Sequence, residues 1–133
     1  MKVLITREFA EPLASMLEDA GLSSVHVPCV RLLATGLPPP VGPPPDSVLI
    51  TSAAVVRFVP GLASVIDGAR VVAVGPKTAA ALRKCSIDVE DVGHRGGKEA
   101  LVTLQQGPAR NPWYIGAKKP SEQLRSALLE HEF

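Results

Sequence analysis

The chain has 133 residues, of which 46% are hydrophobic and 20% charged, with a formal net charge of +1. This length suits one ordinary domain or two very small lobes, and the composition is that of a soluble globular protein. The near-neutral balance provides no global field for nucleic acid or acidic lipid, and no apolar run reaches the ~18–20 residues of a membrane span, so neither is an expected partner.

Met1-Lys2-Val3-Leu4-Ile5-Thr6-Arg7 turns polar too soon for a signal peptide, and Val3 to Ile5 predicts a first strand. Residues Glu8 to Ala20 predict a helix with Pro12 in its first turn and Leu13, Met16, Leu17 and Ala20 on one face. Gly21 ends it, and Val25 to Val30 predicts a second strand that Pro28 shortens or confines to an edge. Between Gly36 and Pro45 the chain has six prolines and two glycines, the composition of a stiff extended connector.

Beyond the connector, strands are expected at Ser47–Ile50, Val71–Val74, Val89–Val92 and Trp113–Ile115. Helices are expected from Ser52 to Phe58, Lys77 to Lys84, Lys98 to Gln106 and Ser121 to Glu130. The third of these turns Ala100, Leu101 and Leu104 inward, and the fourth Leu124, Ala127 and Leu128. Nearly continuous apolar strands alternating with amphipathic helices define an α/β fold with a parallel sheet covered on both faces. No strand follows the last helix, which runs almost to Phe133, and this predicts an N-terminal portion of a longer protein. Cys29 and Cys85 lie far apart in apolar stretches and predict two buried free thiols; a reduced, cytoplasmic setting fits them.

Ligands of open parallel sheets bind beyond the carboxyl ends of the strands. Here those turns read Thr6-Arg7, Thr51-Ser52, Gly75-Pro76-Lys77-Thr78, Gly93 to Lys98, and Gly116 to Lys119. Hydroxyls, exposed backbone N–H groups and helix N-termini suit a ligand carrying several carboxylates. Capping serves equally well as an explanation of Thr51, Ser52 and Thr78, and a solvated surface role as an explanation of Arg7. The segment Gly75-Pro76-Lys77-Thr78 lacks the glycine spacing of a phosphate loop, and in Gly96-Gly97-Lys98-Glu99 an acid replaces the metal-binding hydroxyl. There is no dinucleotide fingerprint. His26, His94 and His131 fall on separate elements without metal-ligand spacing, so neither metal nor cofactor is expected.

Three segments together resemble successive signatures of uroporphyrinogen-III synthases: Val3-Leu4-Ile5-Thr6-Arg7, Val48-Leu49-Ile50-Thr51-Ser52-Ala53, and Val72 to Leu82. Asp88 to Val92 with Gly97-Lys98-Glu99-Ala100-Leu101, and Tyr114-Ile115-Gly116 with Leu124 to Leu128, are similar to the family's next two strand–helix pairs. The resemblance implies two flavodoxin-like lobes. Residues 1–33 would be the first strand–helix–strand of lobe 1, 34–46 the Pro-rich crossing, and 47–133 lobe 2 without its last strand. It also implies the cyclisation of hydroxymethylbilane to uroporphyrinogen III with inversion of the last pyrrole ring, without a cofactor.

By position, Thr6, Arg7, Thr51, Ser52, Gly75, Thr78 and Gly116 would bind and orient the substrate. The family's recurrent tyrosine belongs to a strand that would follow Phe133, and Ala54 stands where the family commonly has asparagine. A non-catalytic binding or regulatory module of the same fold is the alternative from another class. A generic flavodoxin-like receiver is a third, though Thr6 and Thr51 stand where it needs acids. An unpaired edge in lobe 2 predicts self-association, or pairing of that edge with the strand at Val25–Val30.

Overall fold

Short, mostly apolar runs flanked by turn residues form most of the strands here, and a computed structural model describes residues 1–93, 96–107 and 109–130, with residues 91–93 described by backbone alone. Contacts divide the chain into two units, Met1–Thr35 and Gly36–Phe133. No helix among the described residues is long and apolar enough to cross a membrane.

In the first unit, β1 (Lys2–Ile5) pairs in parallel with β2 (Ser23–His26), and α1 (Leu13–Asp19) connects them. The second strand begins and ends earlier than Val25–Val30. Hydrogen bonds from Val27 N to Ile5 O and from Cys29 N to Thr6 O continue the pairing past it, while Pro28 between them has no N–H to give. Among the described residues, Ile5 is the one buried apolar side chain of this unit. The predicted inward face of α1 is not buried: Leu13 and Leu17 are half-covered, and Met16 is 64% exposed. Leu4, Phe9, Val25 and Leu33 are exposed as well.

The second unit holds a four-stranded parallel sheet in the order β5-β4-β3-β6. The strands are β3 (Ser47–Ile50), β4 (Arg70–Val74), β5 (Asp91–Gly93) and β6 (Pro112–Ile115). The expectation that β2 could join this sheet is corrected, since β2 pairs with β1. Between the strands lie α2 (Val55–Phe58), α3 (Leu62–Val65), α4 (Pro76–Lys84) and α5 (Gly97–Gln105), and α6 (Glu122–Glu130) follows β6. The single turn α3 was not expected, and α2 is shorter than Ser52–Phe58.

The middle strand β3 is buried along its whole length, and its alternate side chains feed two cores. Val48 and Ile50 pack with Val55, Leu62, Ile66, Ala79 and Leu82 from α2, α3, α4 and the α3–β4 turn. Leu49 and Val72 pack on the other face with Ala100, Leu101 and Leu104 of α5 and Leu124, Ala127 and Leu128 of α6. The inward residues predicted for α5 and α6 are therefore the buried ones.

Cys29 and Cys85 are free but exposed, which corrects the expectation of buried thiols. Cys85 closes α4 at its C-cap, outside the core that Leu82 enters.

Polar groups tie down the amino edge of the sheet. Arg70 is salt-bridged to Glu90 and donates to Leu104 O at 2.9 Å and Thr103 O at 3.3 Å, capping the C-terminal carbonyls of α5. Asp46 accepts from Arg110 N at 2.7 Å, Asn111 N at 3.2 Å and Ser47 Oγ at 3.0 Å. Desolvation pushes its carboxyl up, but these hydrogen bonds to the charged form outweigh it and hold the group below the ordinary carboxylate range.

A depressed folded-state pKa stabilises the protein above the unfolded value, about 3.9, and that contribution is lost as pH falls through the folded value. Urea midpoints measured from pH 6 down to pH 2 should fall in this window, and Asp46→Asn should flatten the fall. An unchanged slope in Asp46→Asn would mean that other carboxylates carry the acid sensitivity.

Candidate functional site

The chain lays down β3, β4 and β5 in one direction across the sheet, then returns to place β6 on the other side of β3. The connection leaving β3 goes to the α2–α4 face, and the one leaving β6 goes to the α5–α6 face. The two part at the carboxyl edge between β3 and β6, the switch point where open α/β sheets bind ligands.

The register sets Ile50 beside both Ala73 and Ile115, so the turns that follow these strands share that edge. It holds Thr51 and Ser52 after β3, Gly75 and Thr78 after β4, and Gly116 after β6. Thr6 and Arg7 follow β1 in the first unit, where both are exposed and the Arg7 carbonyl accepts from His26 Nε2 at 2.9 Å. Of the turn Gly93 to Lys98, residues 94 and 95 lie outside the described residues, as do residues 131–133 after α6.

The hydroxyls divide by environment. Ser52 Oγ accepts from Ala54 N at 3.2 Å, a local turn bond at the approach to α2. Thr78 does not cap α4, which corrects that explanation. The cap position belongs to Gly75, whose φ of 82° suits glycine, and Thr78 lies three residues into the helix at 5% exposure.

Thr51 is half-buried, and its Oγ1 lies 3.3 Å from the hydroxyl of Tyr114. That hydroxyl in turn donates to Ala117 O at 3.3 Å. Gly116 lies directly against this pair: a Cβ built there would overlap both Thr51 Oγ1 and the Tyr114 hydroxyl. The glycine is thus required by a close approach, not by its turn.

Two features of this edge were not singled out from the sequence. Tyr114 was read only as part of a strand motif, because its reach to Thr51 depends on the pairing of β3 with β6. Lys77, Lys98, Lys118 and Lys119 are all exposed in the segments that follow β4, β5 and β6. With the starts of α4 and α5, they give the edge a local positive character that the net charge conceals. Of two surface depressions, of about 480 and 510 Å³, the first runs along α6 and is lined by Lys98 of this edge, and the second lies beside α1 and β2.

A strand order with a switch point, small and hydroxylic turns at each carboxyl end, and no acidic cluster there among the described residues narrow the field of α/β folds. The family model described as uroporphyrinogen-III synthase HemD matches residues 11–133. The chain belongs to the uroporphyrinogen-III synthase family.

Its fold is similar to that of wild-type uroporphyrinogen III synthase from the extremely thermophilic bacterium Thermus thermophilus, with a TM-score of 0.53 at 22% identity. A selenomethionine-labelled mutant of the same enzyme gives 0.60 at 21%. In both comparisons 98% of this chain is covered and 57% of the other. This chain therefore spans a little over half the length of those structures. No curated protein matches it.

Proposed function

We propose that this chain forms part of a uroporphyrinogen-III synthase, which cyclises hydroxymethylbilane and inverts its last pyrrole ring. In this reading residues 1–33 begin one lobe, 34–46 cross between lobes, and 47–133 belong to the second. Membership of the family over residues 11–133 is the observation that carries the reading. The composition of the carboxyl edge supports it, because lysines, hydroxyls and helix starts suit a flexible octa-acid.

The reaction expels the terminal hydroxyl as water to leave an azafulvene cation. The last pyrrole attacks that cation at its substituted carbon, and the spiro intermediate fragments and recloses with the ring turned over. Folding one molecule so that its ends meet supplies much of such a rate. Fixed dipoles aimed at the developing charge supply more. Thr6, Arg7, Thr51, Ser52, Gly75, Thr78 and Gly116 are assigned to binding and orientation, with Lys77, Lys98, Lys118 and Lys119 neutralising carboxylates. No residue of this chain is assigned proton transfer.

The isomer ratio of the cyclised product tests the activity, since unassisted closure leaves the last ring unturned. The complete protein that contains this chain should shift the product towards the inverted isomer. Binding of the tetrapyrrole without that shift would favour the non-catalytic module. Lys118→Glu with Lys119→Glu should weaken tetrapyrrole binding about tenfold at low salt, and the loss should shrink as salt screens the exposed edge. Tight flavin or nucleotide binding with no tetrapyrrole binding would overturn the reading.

A further inference from the structure

Proton bookkeeping at the switch point assigns Thr51 a more specific part than general contact with carboxylates. The Ala117 carbonyl has no proton, so its 3.3 Å contact with the Tyr114 hydroxyl is a hydrogen bond only if tyrosine donates. A phenol has one proton. With that proton on Ala117 O, the 3.3 Å contact between Tyr114 and Thr51 is satisfied only if Thr51 donates to the tyrosine oxygen. The chain of bonds then runs one way, from Thr51 through Tyr114 to Ala117. Thr51 has spent its only proton inside the protein, and what remains for a ligand is its lone pairs.

We propose that Tyr114 is a positioning residue that makes Thr51 an acceptor, so that this point of the edge selects an N–H donor of the ligand and disfavours a carboxylate. This rests on the tetrapyrrole reading above, in which the available N–H groups are those of the pyrrole rings. A linear tetrapyrrole carries both carboxylates and N–H groups, and an edge offering only donors and cations could hold it in many poses. One acceptor among the donors fixes which part of the ligand lies at β3. Gly116 is the structural condition for this arrangement, since any side chain there would push Thr51 and Tyr114 apart.

Calorimetry with two probes tests the inference: a linear tetrapyrrole octa-acid, and benzenehexacarboxylate, which has carboxylates but no N–H. Removing the acceptor in Thr51→Val should weaken tetrapyrrole binding about five- to tenfold, the scale of one hydrogen bond, and leave benzenehexacarboxylate unchanged. Thr51→Ser should retain wild-type behaviour. Tyr114→Phe removes the internal acceptor and frees the Thr51 proton. Benzenehexacarboxylate should then bind several-fold more tightly and the tetrapyrrole more weakly.

Equal losses for both probes in Thr51→Val, or an unchanged ratio between probes in Tyr114→Phe, would overturn the assignment. If the wild-type chain bound only benzenehexacarboxylate, the tetrapyrrole reading would fail. The direction of the proton chain would still be read from the gain in Tyr114→Phe. Neutron diffraction reads it directly, and a deuteron of Tyr114 pointing at Thr51 would refute the proposal whatever the ligand.

Discussion

Replacing Leu49 with alanine should destabilise the second unit by about 3–5 kcal/mol, a large share of the stability of a small domain. Leu49 has no exposed surface and sits in the strand that both flanking strands pair with. Its side chain enters the core formed with α5 and α6, where Leu101, Leu104 and Leu124 meet it. Truncation would remove three carbons from a site closed by sheet on one side and two helices on the other, which leaves little room to collapse. Leu129 on α6 is the matched control, because it is 68% exposed and its truncation should cost less than about 0.5 kcal/mol. Urea denaturation followed by circular dichroism gives both numbers. A loss below about 1.5 kcal/mol for Leu49→Ala would show that the α5–α6 layer does not depend on this side chain.

The strands and helices that share this core were legible because each carries its own signal. Val48, Leu49 and Ile50 are apolar without alternation, the mark of a strand covered on both faces, and all three are fully buried. The spacing of Ala100, Leu101 and Leu104 marks one helical face, which is the face α5 turns inward. The cysteines were misjudged because apolar neighbours in sequence say little about neighbours in space. Cys85 ends a helix whose buried face has already passed, and Cys29 lies beyond the last residue of β2.

The site was legible only in outline. Strand ends and hydroxyls can be read from order alone, and they locate the carboxyl edge. Whether a hydroxyl there caps, packs or faces a ligand depends on geometry of a few ångströms. Thr78 has the composition of a cap, but the helix starts at Pro76 and leaves the cap position to Gly75. Tyr114 and Thr51 are 63 residues apart, and only the pairing of β3 with β6 brings their hydroxyls together.

Backbone amides of the first unit should exchange with deuterium at least about 100-fold faster than those of β3 and β4. Exchange from a protected amide requires an opening, and its cost ranges from nearly nothing at mobile segments to the global stability in core strands. The amides of β3 and β4 lie in strands buried from Val48 to Ile50 and from Val71 to Ala73, so they open only when the second unit unfolds. Those of Val27 and Cys29, bonded to Ile5 O and Thr6 O, belong to a unit of 35 residues with one buried apolar side chain among the described residues. So small a unit buries too little surface to offset the entropy of ordering its chain. Thr6 and Arg7, proposed above as substrate-binding residues, stand in this unit. A tetrapyrrole that engages them should slow exchange in the first unit, because binding adds to the cost of every opening that breaks those contacts. Exchange followed residue by residue, with and without the ligand, decides the matter. Equal protection of the two units in the free chain would mean that the first is held by contacts other than its own, and the expected difference would be refuted.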